Sequence, residues 1–274
     1  MTGVKLTVLG CSGSYPGPGQ ACSGYLVRSA GATTVLDLGS GTLANLQLYV
    51  AIADVDAIVL THEHPDHWLD LMLLRSAMRH VLHLEGLAVY GTAGVLERAT
   101  ALAGAMAPTF RWTTVDDGST VAVGDQQLRF SRTDHPVETL AVRIDAEIDG
   151  PTDSEVDGHT DAGAGDGPTG DGGGDSGHRT LAYTADTGPD WDTGGRFDDV
   201  HLLLCEATLR TADEGRVQHL SGRQAGVLAR ATRARRLLLT HVSPDVDPVA
   251  QRAAAAAIFD GPVDIATTHE TYDV

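Results

Sequence analysis

The run Thr61-His62-Glu63-His64-Pro65-Asp66-His67 sets three imidazoles and an aspartate within six residues. It follows the apolar stretch Ala57-Ile58-Val59-Leu60, which reads as a short buried strand, so the cluster opens the loop at that strand's C-terminal end. Imidazole nitrogen and carboxylate oxygen are the ligands that borderline divalent metals take, Zn²⁺ above all. A lone His at a strand end is ordinarily a cap or a core residue; an H-x-H-x-D-H cluster leaves only a His-rich solvated loop as its bland alternative. The spacing lets His62 and His64 turn one way and Asp66 and His67 another, which suits two adjacent metals better than one. Three further ligand types follow other apolar runs: His135 after Leu128–Thr133, Asp186 after Leu181–Thr184, and His241 after Leu237–Thr240. Each is weak alone. Four strand ends each offering a ligand form a joint pattern, because rigid metal sites are built by convergence from several elements.

The elements that must position these groups alternate along the chain. Val4–Leu9, Thr34–Leu38, Ala57–Leu60 and Leu87–Tyr90 read as strands. A helix is expected from after Gly41 to about Ala51, another over Asp66–Leu84 by the spacing Leu69, Leu73, Ala77, Val81, and a third over Gly94–Ala103. From Phe110 to Ile144 the period falls to two, as in successive antiparallel strands. Leu181–Thr184, His201–Cys205 and Arg236–Leu239 are strands, Ser221–Arg233 and Pro248–Phe259 helices, and Val263–Ala266 a closing strand. Strands and helices mixed in both halves predict two face-to-face sheets with helices outside.

Composition narrows the setting. The 274 residues carry a formal net charge of −18. Ten of the acidic residues, and no Lys or Arg, fall within 145–178, so more than half of the net charge lies in one segment. Residues 150–177 are rich in Gly and Asp and nearly free of apolar side chains, too poor in burial to offset their ordering entropy. They read as a disordered insert within one domain spanning 1–274; His159 and His178 read as solvated loop residues. The three cysteines, Cys11, Cys22 and Cys205, have no metal-type spacing and read as reduced thiols. No signal-peptide pattern and no apolar run of about 18 residues occurs, so a cytoplasmic protein without a membrane partner is expected.

The motif at 61–67, with Thr184-Ala185-Asp186-Thr187-Gly188 and Thr240-His241-Val242-Ser243, resembles the metallo-β-lactamase superfamily over nearly the whole chain. The resemblance implies an α/β fold, an αββα sandwich with a dinuclear metal site at the sheet edge. It implies that His62, His64 and His135 hold one metal, Asp66, His67 and His241 the other, and that Asp186 bridges them. Two divalent ions are implied, Zn²⁺ first, with Mn²⁺ or Fe compatible with the same donors. Leu204-Cys205-Glu206-Ala207-Thr208 with His219-Leu220-Ser221 resembles the ribonuclease Z-like phosphodiesterase branch, in which a Glu orients a His facing the substrate phosphate. That gives Glu206, His219 and Asp66 as catalytic residues, while Ser221 could equally be a helix N-cap. Asp37 reads either as an acceptor for a ligand His N–H or as a turn residue.

Ribonuclease Z grips tRNA with a basic arm between its third ligand His and its bridging Asp. Here that interval carries the acidic tract, which repels phosphate. Further phrases, among them Val8–Ser14, His219–Gly226 and Phe259–Val263, resemble an actinobacterial group that includes a cyclic-nucleotide phosphodiesterase active on cAMP. The expected function is therefore metal-dependent hydrolysis of 3′,5′-cyclic nucleotides to 5′-monophosphates by a hydroxide shared between the metals, with a small phosphodiester as the partner, no nucleic acid, and a homodimer as an ordinary assembly. The alternatives are a tRNA 3′-end endonuclease or another hydrolase of this fold, acting on lactams or thioesters. Gly10–Ser14 and Gly39-Ser40-Gly41 either floor the pocket or make tight turns, and His80, His83, His201 and His269 read as structural. Deleting residues 150–177 is expected to leave turnover largely intact; lost turnover in a variant that still folds would place the segment in the site.

Overall fold

The structure is a computed structural model that describes residues 3–148 and 177–274. Apart from Gly177, the acidic segment expected to be disordered lies outside the described residues, as does His159. Among the described residues two sheets of seven strands each are present. One runs β14 (Thr271–Asp273), β1 (Lys5–Gly10), β2 (Gly24–Arg28), β3 (Thr33–Leu36), β4 (Ala57–Leu60), β5 (Leu87–Gly91), β6 (Phe110–Thr114). The other runs β13 (Val263–Ile265), β12 (Leu237–Thr240), β11 (Leu202–Glu206), β10 (His178–Tyr183), β9 (Leu140–Glu147), β8 (Gln126–Arg132), β7 (Thr120–Val123). Helices α1 (Thr42–Leu46), α2 (Asp70–Ala77) and α3 (Ala93–Ala103) cover the first sheet; α4 (Gly222–Ala231) and α5 (Pro248–Ala256) cover the second.

The strand sequences explain the layering. In β4, Ala57 and Val59 face the core between the sheets while Ile58 and Leu60 face the helices. A strand covered on both sides has no polar alternation, hence the unbroken apolar run. Leu6, Val8 and Tyr25 of the first sheet meet Phe130, Val142, Leu181, Tyr183 and Leu204 of the second. Strands β3 to β6 are parallel, as are β10 to β13. The C-terminal ends of both parallel sets supply the loops that carry the candidate ligands, the ordinary place for a site in such sheets, except that His135 follows the antiparallel strand β8. This is the expected αββα fold.

Several local expectations are corrected. The stretch 66–84 is not one helix: residues 65–67 form a 3₁₀ turn, α2 occupies 70–77, and a wider π turn spans 78–82. The stripe Leu69, Leu73, Val81 lies outward, with Leu73 62% and Val81 71% exposed, while Leu71, Leu74 and Met78 pack inward. Two apolar i, i+4 registers compete here, and docking chose the one one-third of a turn away. The helix after Gly41 ends at Leu46. β6 pairs parallel with β5; only β7–β9 form the antiparallel run. Val263–Ile265 is followed by β14, which closes the opposite sheet beside β1. His80 sits on the π turn and His83 caps its C-terminal end, and His201 accepts at Nδ1 from the Thr180 N–H.

Helix α4 follows His219 directly, so its seat matters to the site. Ser221 caps it: its hydroxyl accepts from the Gln224 N–H while the Gln224 side chain accepts from the Ser221 N–H. Gly222 lies so close to α5 that a Cβ would collide with the Gln251 carbonyl. Helix propensity alone would make Gly222→Ala stabilising, by about 1 kcal/mol. We expect the reverse, a loss of about 1–3 kcal/mol from overpacking, measured by urea denaturation.

Candidate metal centre

Asp37 follows β3 and is fully buried. Its Oδ1 accepts from the Thr61 N–H (2.8 Å); its Oδ2 accepts from the Thr61 hydroxyl (2.9 Å), His67 Nδ1 (2.8 Å) and the Tyr183 hydroxyl (2.9 Å). The carboxylate thus fixes the start of the H-x-H-x-D-H loop and one of its rings. Burial, and after it the Asp37 charge, hold the Tyr183 phenol well above its usual range, so it stays a donor. Leu38 N–H donates to the His67 carbonyl (2.7 Å), and Asp70 N–H to the Leu38 carbonyl (3.1 Å). A Cβ at Gly39 would strike the Asp66 carbonyl, so glycine there permits the two loops to meet.

The motif's histidines face the other strand-end residues. His62 Nε2 lies 3.1 Å from His64 Nδ1, and His64 Nδ1 3.2 Å from His135 Nε2. His67 Nε2 lies 3.2 Å from His241 Nε2, which lies 3.2 Å from Asp66 Oδ2. Asp186 stands between the trios: Oδ2 is 3.4 Å from His62 Nε2 and 4.0 Å from His135 Nε2, while Oδ1 is 3.3 Å from His67 Nε2 and 3.5 Å from His241 Nε2. The structure therefore brings together all seven residues expected to bind metal, in the grouping His62, His64, His135 and Asp66, His67, His241 with Asp186 shared.

The donor set fits divalent ions. Two atoms about 2.0–2.1 Å from one tetrahedral ion stand about 3.3 Å apart, close to the nitrogen separations here. The Asp186 Oδ1 is buried without a hydrogen-bond donor. Four of the five rings have their far nitrogen engaged: His62 Nδ1 by the Thr61 hydroxyl (3.1 Å), His67 Nδ1 by Asp37, His135 Nδ1 by the Gln218 carbonyl (3.1 Å) and His241 Nδ1 by the Thr208 hydroxyl (2.8 Å). Such partners fix tautomer and ring orientation. Burial pushes His62 down to about 4 and also lowers His135, leaving both rings neutral with a free lone pair. Burial would lower His67 as well, but Asp186, Asp66 and Asp37 outweigh it and raise the ring; the same interior favours positive charge. Burial likewise opposes the ionised forms of Asp66 and Asp186, yet the surrounding rings hold both carboxyls below their usual range.

Glu206 ends β11 and is fully buried. Its Oε1 accepts from His219 Nδ1 (2.9 Å) and the Thr187 N–H (2.6 Å); its Oε2 accepts from the Leu220 N–H (3.1 Å) and the Thr208 hydroxyl (2.6 Å). Burial lowers His219, but the Glu206 charge and hydrogen bond outweigh it and raise the ring to about 9. With Nδ1 taken, Nε2 is the nitrogen left for the cleft. His219 also stands near Asp186 and His241. Thr208 was not singled out from sequence, although it sits two residues after Glu206; it joins the Glu206–His219 pair to His241. Ser14 N–H donates to Asp66 Oδ2 (2.9 Å), so the Gly10–Ser14 turn does reach the site.

A two-lobed His/Asp cluster at the edge of an αββα sandwich defines a metallo-hydrolase of the metallo-β-lactamase kind. The Beta-lactamase superfamily domain model matches residues 34–152. An uncharacterized protein of Mycobacterium tuberculosis is 32% identical, with 99% of this chain and 92% of that protein covered. A probable metallo-hydrolase of Bacillus subtilis, YhfI, is 29% identical over 96% of this chain and 97% of its own, and its crystal structure superposes with a TM-score of 0.80 at 26% identity over the whole of both chains. A ribonuclease Z of Methanopyrus kandleri is 28% identical over 92% of this chain and 91% of its own. The chain belongs to the metallo-β-lactamase superfamily. Among the described residues no helix is long and apolar enough to cross a membrane.

Asp37→Asn keeps the side-chain shape but replaces an acceptor facing His67 with an amide. We expect metal affinity to fall about 10–100-fold, read by competition with a chromophoric chelator, with the fold retained by circular dichroism.

Proposed function

We propose that this protein is a phosphodiesterase that uses two divalent ions, Zn²⁺ first among them, to hydrolyse 3′,5′-cyclic nucleotides, cAMP foremost, to 5′-monophosphates. The observation that carries the reading is the Glu206–His219 pair beside the cluster: a charged imidazole, held at Nδ1, on the wall of a cleft shared with His64 and His135. Lactam or thioester hydrolysis gives such a pair no evident task. When bound, the ions supply Lewis-acid chemistry, polarising phosphoryl oxygens and bringing the ionisation of water toward neutral pH.

The chain's own groups then divide the work. His62, His64, His135, Asp66, His67, His241 and Asp186 would hold the ions, and the partners at their far nitrogens set the ring planes before substrate arrives. Asp66, 11% exposed at its side chain, is the most open of these carboxylates and stands where a proton from the attacking water could be received. His219, charged through neutral pH, can donate from Nε2 to a phosphoryl oxygen or to the departing ribose 3′-oxygen. Glu206 orients that ring and offsets its charge.

The nuclease alternative, suggested by the name of the Methanopyrus relative, asks for unpaired cations along a phosphate track. The cleft's two arginines are instead paired with acids: Arg210 with Asp245 (2.6 Å) and Arg216 with Asp213 (2.8 Å). The net charge of −18 opposes a polyanion as well.

The test is turnover of 3′,5′-cAMP by metal-loaded protein beside Asp66→Ala and a 3′-extended tRNA. Formation of AMP, lost in the variant and with tRNA intact, is the expected result; cleaved tRNA with inert cAMP would overturn it. His219→Ala should lower kcat by about 10²–10⁴-fold. Glu206→Gln removes the charge that raises His219, so the pH above which kcat declines should move downward; an unmoved alkaline limb would free His219 of the acid role.

A further inference from the structure

Resting on the phosphodiesterase reading, the geometry points to a binding site that the hydrolytic chemistry does not use: the outer half of the cleft, built from Val217, Arg216, Leu209 and Val246, is a nucleobase subsite. The cleft measures about 500 Å³ and runs from His64, His135 and His219 to these residues. A diester seated on the cluster must place its remaining atoms there.

The loop 209–218 that forms this wall is braced at several points. Arg210 reaches the Asp245 carboxylate beyond the cluster (2.6 Å) and Asp213 on its own loop (3.5 Å), and Asp213 in turn holds Arg216 (2.8 Å). Glu214 accepts from the Ser221 hydroxyl (2.5 Å) and pairs with Arg223 (2.5 Å). The Val217 carbonyl accepts from the His219 N–H (2.9 Å), which sets Val217 on the same tight turn as the imidazole facing the phosphate. On so fixed a loop, Val217 nevertheless keeps 54% of its surface exposed.

An exposed apolar side chain beside a guanidinium, one tight turn from the phosphate-facing ring, suits a planar heteroaromatic group. Its face can lie on Val217 and the Arg216 plane, while the in-plane donors of Arg216 stay turned to Asp213. An alkyl group would cover Val217 but gain nothing from the face of the Arg216 guanidinium. A second phosphate would meet Asp213 and Asp245, whose carboxylates already occupy the arginines, and pay for displacing them. The subsite therefore selects a nucleoside carrying one cyclised phosphate over an oligonucleotide.

The experiment compares KM for 3′,5′-cAMP with KM for 1-O-methylribose 3′,5′-cyclic phosphate, the same ring without a base, in the wild type, Arg216→Ala, Arg216→Lys and Val217→Asp. All three changes lie on exposed side chains. The wild type should favour cAMP by about tenfold or more in KM, and each variant should close that gap while kcat for cAMP is retained. Arg216→Lys should behave like Arg216→Ala, because a lysine keeps charge without the plane. Equal KM for the two substrates in the wild type, or variants that keep the preference, would overturn the subsite while leaving the phosphodiesterase standing. A wild type inert toward both cyclic phosphates would overturn both.

Discussion

The site depends first on one buried carboxylate. Asp37 collects four donors: two from Thr61, one from His67 and one from Tyr183. A buried charge of this kind is tolerable only when saturated with hydrogen bonds. Saturation here has a structural yield, because the donors come from both sheets. Tyr183 belongs to β10 of the second sheet, while Asp37 and Thr61 end strands of the first. The reciprocal contact runs the other way: Tyr25 of β2 shares a hydrogen with Thr240 of β12 (2.6 Å), and the two tyrosine rings meet at 5.0 Å. The sheets are thus pinned directly beneath the cluster, and sliding one past the other would break both contacts.

Three of the eight non-glycine residues with positive φ among the described residues lie at the same edge. Asp37, Ala185 and His241 are non-glycine residues with positive φ, at +56°, +51° and +51°, and each directly follows or lies one residue beyond a strand end. Such conformations are uncommon for residues with a Cβ and persist where surroundings over-determine them. Each turns the chain sharply as it leaves the sheet. Without the turn at Ala185, Asp186 would continue along the direction of β10; with it, the carboxylate swings between the two trios of donors.

How legible this was in sequence follows from range. The H-x-H-x-D-H loop is local, and its chemistry is written in adjacent residues. The strand-end residues His135, Asp186 and His241 were readable because short apolar runs mark strands and parallel strands end together. The family resemblance supplied the grouping into trios, which spacing alone does not contain. What stayed hidden was decided by tertiary contact. The buried face of α2 could not be chosen between two apolar registers, since Leu69 and Leu73 are as hydrophobic as Leu71 and Leu74. Strand β14 finds its partner in β1 some 260 residues away, where Leu6 lies opposite Tyr272, and three residues carry too little pattern to announce it. Asp37 left two readings open, because a strand-end aspartate turns into an acceptor for a histidine only when another strand brings that histidine near.

Thr208 shows the same limit and explains how the two halves of the site can act together. Its hydroxyl gives its proton to Glu206 and takes one from His241 Nδ1, so a single oxygen stands between the carboxylate that orients His219 and the ring that faces the second group of donors. Glu206 also receives the Thr187 N–H, adjacent to Asp186. One buried carboxylate therefore sets the position of the His219 imidazole, of the shared aspartate through its neighbour, and of His241 through Thr208. Any shift of Glu206 must move all three. Asp37 governs the opposite side through Thr61 and His67, so two aspartate and glutamate anchors, one at the end of each sheet's parallel set, hold the whole cluster between them. The donor groups are thus aligned by the fold itself, before anything binds between them.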